Sequence, residues 1–176
     1  GMTRESCNSI VASVFPEEWP KNAPEVYNRE AMTEVAAKAY GITVREIALP
    51  SGAVVIGTEV DFGEAVADLI YLHQGTLTIL DWKFSLELKR EWVAKRLDET
   101  RLTWQLYHYA WRARERFGRP VSHIAKVVIA GTPSTFAKMR VVPLPEGAIE
   151  KWLEGARSMW RIMSTMRAGE LAIHPR

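Results

Sequence analysis

The chain has 176 residues, enough for one domain with a sizeable core. Its 47 % apolar and 25 % charged content fits an ordinary globular protein, and no apolar run is long enough to span a bilayer. A net charge of +2 permits nucleic-acid binding without arguing for it, and a single cysteine, Cys7, excludes an internal disulfide and any multi-cysteine cluster, iron–sulfur included.

Residues 1–24 place Pro16, Pro20 and Pro24 around Phe15 and Trp19, an irregular lead-in whose aromatics are expected to pack on the domain. Gly1 before Met2 reads as a remnant of tag removal. The first residues lack the apolar stretch of a signal peptide, and with the cysteine usage this fits a reducing, cytoplasmic setting. Over 25–40 the spacing of Met32, Val35, Ala36 and Ala39 predicts a helix, with Gly41 as its stop. From 44 to 84 the period changes to two. Turn signals at Ser51-Gly52, Gly63-Glu64 and Gln74-Gly75 then predict an antiparallel meander.

From about 86 to 117 the pattern is helical again, as one helix or as two broken near Asp98-Glu99, and Gly118-Arg119-Pro120 ends it. The stretches 124–130 and 139–142 read as strands. Residues 145–166 read as an amphipathic helix with Ile149, Trp152, Leu153, Ala156, Trp160 and Met163 on one face. A short tail, 167–176, follows. Without an internal repeat or linker, 1–176 is expected to be a single domain. Strands and helices are grouped rather than strictly alternating, which predicts an α/β (α+β) fold: a central mixed sheet containing the meander, flanked by helices.

The segment 59–83 carries the chemistry. With Gln74-Gly75 as a hairpin turn, Asp68 falls opposite Asp81; with Gly63-Glu64 as another, Glu59 falls opposite Asp68. Three carboxylates then form a row, roughly 4.5–5.5 Å apart at Cβ, where like charges repel. A cation would offset that repulsion, and hard oxygen ligands suit Mg²⁺ or Mn²⁺. Lys83, two residues beyond Asp81, points to the same face. A metal ion there can activate water and neutralise phosphate charge, and an adjacent ammonium can stabilise charge building on a phosphoryl group. Asp81 also ends an apolar run (Leu77, Ile79, Leu80), and an acid in that place is either paired or functional. The bland alternative is a solvated strand end for Asp81 and Lys83 and an exposed edge for Asp68.

Asp68, the tripeptide Asp81-Trp82-Lys83 and the helical run Gln105-Leu106-Tyr107-His108-Tyr109 together resemble the PD-(D/E)XK nuclease superfamily, and within it the RecB-type and phage-exonuclease branch. That branch carries an Asp ending a strand, Asp-x-Lys on the next strand and Gln-x-x-x-Tyr on the following helix. The resemblance spans 54–113. It implies a restriction-endonuclease-like core and a Mg²⁺- or Mn²⁺-dependent deoxyribonuclease, an exonuclease in DNA repair, recombination or phage DNA processing. It implies that Asp68 and Asp81 hold the metal with the backbone carbonyl of Trp82, that Lys83 is catalytic, and that Glu59 takes the place of a further acid. Gln105 and Tyr109 would line the site. They lie four residues apart on one helix face, and the same spacing puts Arg101 there as a candidate phosphate contact. DNA is the implied partner, with a homo-oligomer or a larger repair or recombination complex, and no membrane.

Two departures stand out. Many relatives carry a His on the first helix as a further metal ligand; 25–40 has none, leaving Glu30 or Glu34 as substitutes. Phe84 follows the lysine where Thr is common. The missing His supports an alternative, a catalytically weak or inactive nuclease-fold subunit that binds nucleic acid or partner proteins. An enzyme acting on RNA or branched DNA is a third reading.

The remaining candidates have plainer expectations. Asp61 and Glu64 should face solvent, His73 should sit at a turn, and His123 and His174 belong to a loop and the tail. His108 lies about 100° around the helix from its neighbours' facing and should pack. Trp92, Trp104, Trp111, Trp152 and Trp160 are expected in the core rather than as base-stacking platforms. Cys7 is expected to be a small, buried or half-buried residue.

Overall fold

A computed structural model of the chain describes residues 29–87, 90–132 and 136–167. The expectations for 1–24, for Cys7, for the helix start at 25–28, for the tail beyond 167 and for His174 lie outside those residues. The first described element is helix α1 (Arg29–Glu46). The meander follows as β1 (Val54–Asp61), β2 (Val66–His73) and β3 (Thr76–Glu87), antiparallel throughout. Its tight turn is Gln74-Gly75, with φ of 49° and 80° at the two residues and His73 paired to Thr76. Two left-handed residues in succession match the twist of the flanking strands.

Helix α2 (Arg90–Asp98), a 3₁₀ turn (Glu99–Leu102) and α3 (Trp104–Phe117) carry the chain to β4 (Val121–Thr132), which lies parallel to β3. A parallel neighbour requires such a crossover, because no tight turn can supply it. Strand β5 (Phe136–Pro143) returns antiparallel, so the sheet order is β1-β2-β3-β4-β5, and α4 (Ala148–Arg167) completes the described fold. This is the mixed sheet flanked by helices that the grouping of elements predicted. Among the described residues no helix is long and apolar enough to cross a membrane.

One sheet face packs Ile70, Leu77, Ile79 and Ile124 against Leu106, Tyr109, Ala110 and Ala113 of α3, and Ile149 of α4 joins the same core. The opposite face buries Leu80, Ala125 and Val127 against Ile47 and Leu49, with Met139 beside them in the sheet, and α1 lies over β4 and β5. Alternation along β3 therefore sends 77, 79, 81 and 83 toward α3.

Several expected boundaries move. Helix α1 runs through Gly41 to Glu46, although an interior glycine costs about 1 kcal/mol relative to alanine. Burial of Ala37 and Ala39 and the Thr43 Oγ1 bond to the Ala39 carbonyl (2.8 Å) hold that turn in place. Ser51-Gly52 accordingly links the exit of α1 to β1 rather than two strands. Residue 86 belongs to β3, because pairing with β4 continues as far as Glu87 and Thr132. His123 lies in β4, not in a loop.

The tryptophans also depart from expectation. Trp111 and Trp152 are half-buried, whereas Trp92, Trp104 and Trp160 are exposed, Trp160 by 64 %. Helical periodicity reports that a stripe exists, not that a neighbour covers it, and beyond Ala156 no described element covers α4.

Candidate active site

Asp68 and Asp81 are brought together by the 74–75 turn. The register runs to Leu69 opposite Leu80, and one further step sets Asp68 beside Asp81. Asp68 is half-buried, and its Oδ2 accepts the Trp82 backbone N–H at 2.6 Å. Asp81 is only 1 % exposed. Its Oδ1 lies 2.9 Å from Lys83 Nζ, while its Oδ2 is buried with no hydrogen-bond partner. Burial raises the Asp81 carboxyl above its ordinary range; the Lys83 ammonium pulls it back down, and Asp68 pushes it further up.

Lys83 reaches out of the sheet toward solvent and donates to Gln105 Oε1 at 3.4 Å. Gln105 Nε2 in turn donates to the Tyr109 hydroxyl. The two residues predicted to share a helix face thus meet each other and the lysine. Thr103, at φ −80° and ψ 99°, breaks the helical path just before α3, so Gln105 sits in the first turn of a new helix.

The same break corrects the placement of Arg101. It belongs to the 3₁₀ turn, so the four-residue spacing that aligned it with Gln105 does not apply. Arg101 is exposed, and its carbonyl accepts the Tyr107 hydroxyl at 3.1 Å.

Glu59 is flanked by the pairs Thr58–Leu69 and Val60–Ala67, which sets it opposite Asp68 in register. It is exposed, and its φ of 50° is a left-handed conformation that a non-glycine residue rarely adopts. A register irregularity between Val55 and Gly57 bends the same edge strand, and a Cβ on Gly57 would lie only 2.8 Å from Val60 Cγ2. Among the described residues no three His, Cys, Asp or Glu side chains form a metal-sized cluster. The structure thus brings together an Asp68–Asp81 pair, not the expected row of three.

Glu64 is exposed, as expected, and at the surface lies 2.7 Å from Arg112 Nε and 3.4 Å from His108 Nε2. Arg112 also donates to the Phe62 carbonyl (3.1 Å) and Arg116 to the Asp61 carbonyl (2.6 Å), so α3 clamps the β1–β2 hairpin. His108 packs, as expected, beside Trp111 and Trp152. On α1, Glu34 pairs with Lys38 at 2.8 Å, and that helix lies on the sheet face turned away from Asp81 and Lys83. The Glu30 side chain lies outside the described residues.

Sequence reading overlooked Lys126. It is register-paired with Asp81 across the parallel strands, only 6 % exposed, and donates to Thr103 Oγ1 at 2.9 Å. Burial pushes its ammonium below the usual lysine range, and Asp81 opposes that shift. The signal was available: a cation interrupts the apolar run from Ile124 to Ile129, much as Asp81 ends its own.

A buried carboxylate oxygen without a partner, beside a second carboxylate, is an all-oxygen anionic donor set of the kind Mg²⁺ and Mn²⁺ prefer. The residues present therefore fit a divalent cation.

No curated protein matches the chain. The family model of the PD-(D/E)XK nuclease superfamily matches residues 1–176, and the chain belongs to that superfamily. Membership points to nuclease activity, which in this superfamily generally uses divalent metals such as Mg²⁺.

Proposed function

We propose that this PD-(D/E)XK chain is a metal-dependent deoxyribonuclease that hydrolyses phosphodiester bonds, acting as an exonuclease of RecB type. The observation that carries the reading is Asp81: fully buried, one oxygen on Lys83, the other without a partner. Burying such a charge is costly unless something compensates it, and a cation shared with Asp68 would do so. Asp68, Asp81 and the Trp82 carbonyl are the groups that would hold Mg²⁺ or Mn²⁺. When bound, the ion supplies charge neutralisation on the phosphate and acidification of water.

Lys83 does the rest of the electrostatic work. Asp81 Oδ1 and Gln105 Oε1 hold its ammonium from two sides, so the charge waits at a fixed point instead of sweeping through solvent. A compact point charge held there orients an attacking water and offsets negative charge growing on the phosphoryl oxygens. Tyr109 fixes Gln105, and Lys126 fixes Thr103 just ahead of α3, so both act as positioning residues. The exonuclease assignment, and a setting in DNA repair, recombination or phage DNA processing, rest on the likeness of the Gln105–Tyr109 helix to the RecB-type branch.

The test compares end-labelled linear DNA with a closed circle in a Mg²⁺ or Mn²⁺ titration. Metal-dependent release of nucleotides from linear DNA alone, abolished in Asp81→Ala, supports the reading. Unchanged cleavage in Asp81→Ala overturns the catalytic assignment, and equal cutting of the circle overturns exonuclease action. A second reading, a non-cleaving nuclease-fold subunit, is favoured by the position of α1, which turns Glu34 onto Lys38 rather than toward the site. Retained DNA binding with no cleavage under either metal would select it.

A further inference from the structure

A groove of about 710 Å³ runs between α3 and α4, lined by His108 and Trp111 on one side and by Trp152, Arg157, Trp160 and Arg161 on the other. Trp152 is the hub of its ring contacts, 5.8 Å from His108 and 6.3 Å from Trp111 between centroids. Trp160 leaves 64 % of its surface in solvent, and Met159, Ile162 and Met163 beside it are also exposed. The arginines stand among the rings of α4, while the carboxylates nearest the lining are held by α3 rings, Glu115 on Trp111 Nε1 at 2.8 Å and Glu64 3.4 Å from His108 Nε2.

Arg114 pairs with Glu150 at one end of the helix pair, and the Trp104 ring lies against Gly155 at the other, so α3 and α4 run in opposite directions. Trp104 immediately precedes Gln105, which binds Lys83. The exposed turns of α4 therefore start beside the end of α3 that carries the Gln105–Lys83 contact.

A bare apolar face would suit a second copy of this chain. On the α4 side, indole faces set among the Arg157 and Arg161 guanidinium groups suit something flat and anionic. An unpaired nucleic-acid strand has both properties: its bases stack on aromatic rings and its phosphates pair with arginine. A duplex keeps its bases stacked on one another and cannot use the rings in this way. We infer that the α3–α4 groove binds an unpaired nucleic-acid strand through stacking on Trp160 and its neighbouring rings and phosphate contacts to Arg157 and Arg161. Delivery of that strand to Lys83 rests on the nuclease reading; the binding itself does not.

The test is fluorescence anisotropy with the full chain in EDTA, so that no cleavage occurs, using a labelled fifteen-residue oligo-dT and a duplex of equal length. The oligo-dT should bind more tightly than the duplex and weaken with salt. Trp160→Ala should weaken it by roughly five- to a hundredfold, as expected for the loss of one stacked base, and Trp160→Phe should restore much of the loss. Arg161→Glu should weaken binding and flatten its salt dependence. Trp160 is exposed, so these variants should melt like the parent chain. Equal oligo-dT affinity in Trp160→Ala and Arg161→Glu overturns the inference, as does a duplex bound as tightly as oligo-dT. A dimer in sedimentation that Trp160→Ala dissociates without changing oligo-dT affinity also overturns it and assigns the face to a second copy. Loss of binding in the groove variants of a chain that cleaves no DNA upholds the groove and removes the nuclease reading instead.

Discussion

On the face of β3 turned to α3, Leu77 and Ile79 are fully buried apolar residues, and Asp81, two residues on, is just as buried but carries a carboxylate. The first pair is sealed against Leu106, Ala110 and Ala113. Asp81 meets Lys83 with one oxygen and nothing with the other. One strand thus spends its first half on rigidity and its second half on unmet binding capacity. Local rules tend to be broken where function sits, and this break falls next to a helix start that presents Gln105.

The largest effect that separates the two halves should come from Lys83→Ala. Initial cleavage rates should fall on the order of a thousandfold, about 4 kcal/mol of transition-state stabilisation, read on protein checked to be folded, because the change also takes away the ammonium partner of buried Asp81. Leu77→Ala should do the reverse, removing about 3 kcal/mol of stability in urea titration while leaving metal dependence intact. Gln105→Ala only releases the lysine's outer tether. Its rate should drop roughly tenfold, about 1.4 kcal/mol, with KM unchanged.

The smallest effect is also the most diagnostic of unmet capacity. Burial holds the Asp81 carboxyl above its ordinary range, so the metal-free folded state binds that proton more tightly than the unfolded chain does. Its contribution to stability is full below the ordinary value of 3.8 and is lost as pH rises through the raised value. Lys126 works with the opposite sign: its contribution is full above 10.5 and is lost as pH falls through its lowered value. Asp81→Asn removes the first loss. In EDTA near pH 8 it should melt above the parent chain, and its stability should vary less as pH rises above 3.8.

Much of this was legible in the sequence, for identifiable reasons. Gln74-Gly75 needs two left-handed residues, a local requirement that fixed the register and put Asp68 beside Asp81 without knowledge of the rest of the fold. Asp81 was visible because it ends an apolar run. Lys126 carried the same signal inside its own run, but its partner Thr103 comes from a distant segment, so the meaning of the signal was hidden. Arg101 was misplaced because helical spacing assumes an unbroken helix, and Thr103 interrupts it. Trp160 was assigned to a core because periodicity cannot tell a covered stripe from an open one. The register shift beside Gly57, where a Cβ would meet Val60, and the left-handed Glu59 carry no turn signal in the sequence.

Calorimetric titration of Mn²⁺ into the full chain and into Asp81→Asn tests most directly whether Asp81 is buried to hold a cation. Saturable binding by the parent chain, lost in an Asp81→Asn protein that is folded and at least as stable, is the predicted result. Equal Mn²⁺ binding by both proteins would contradict it.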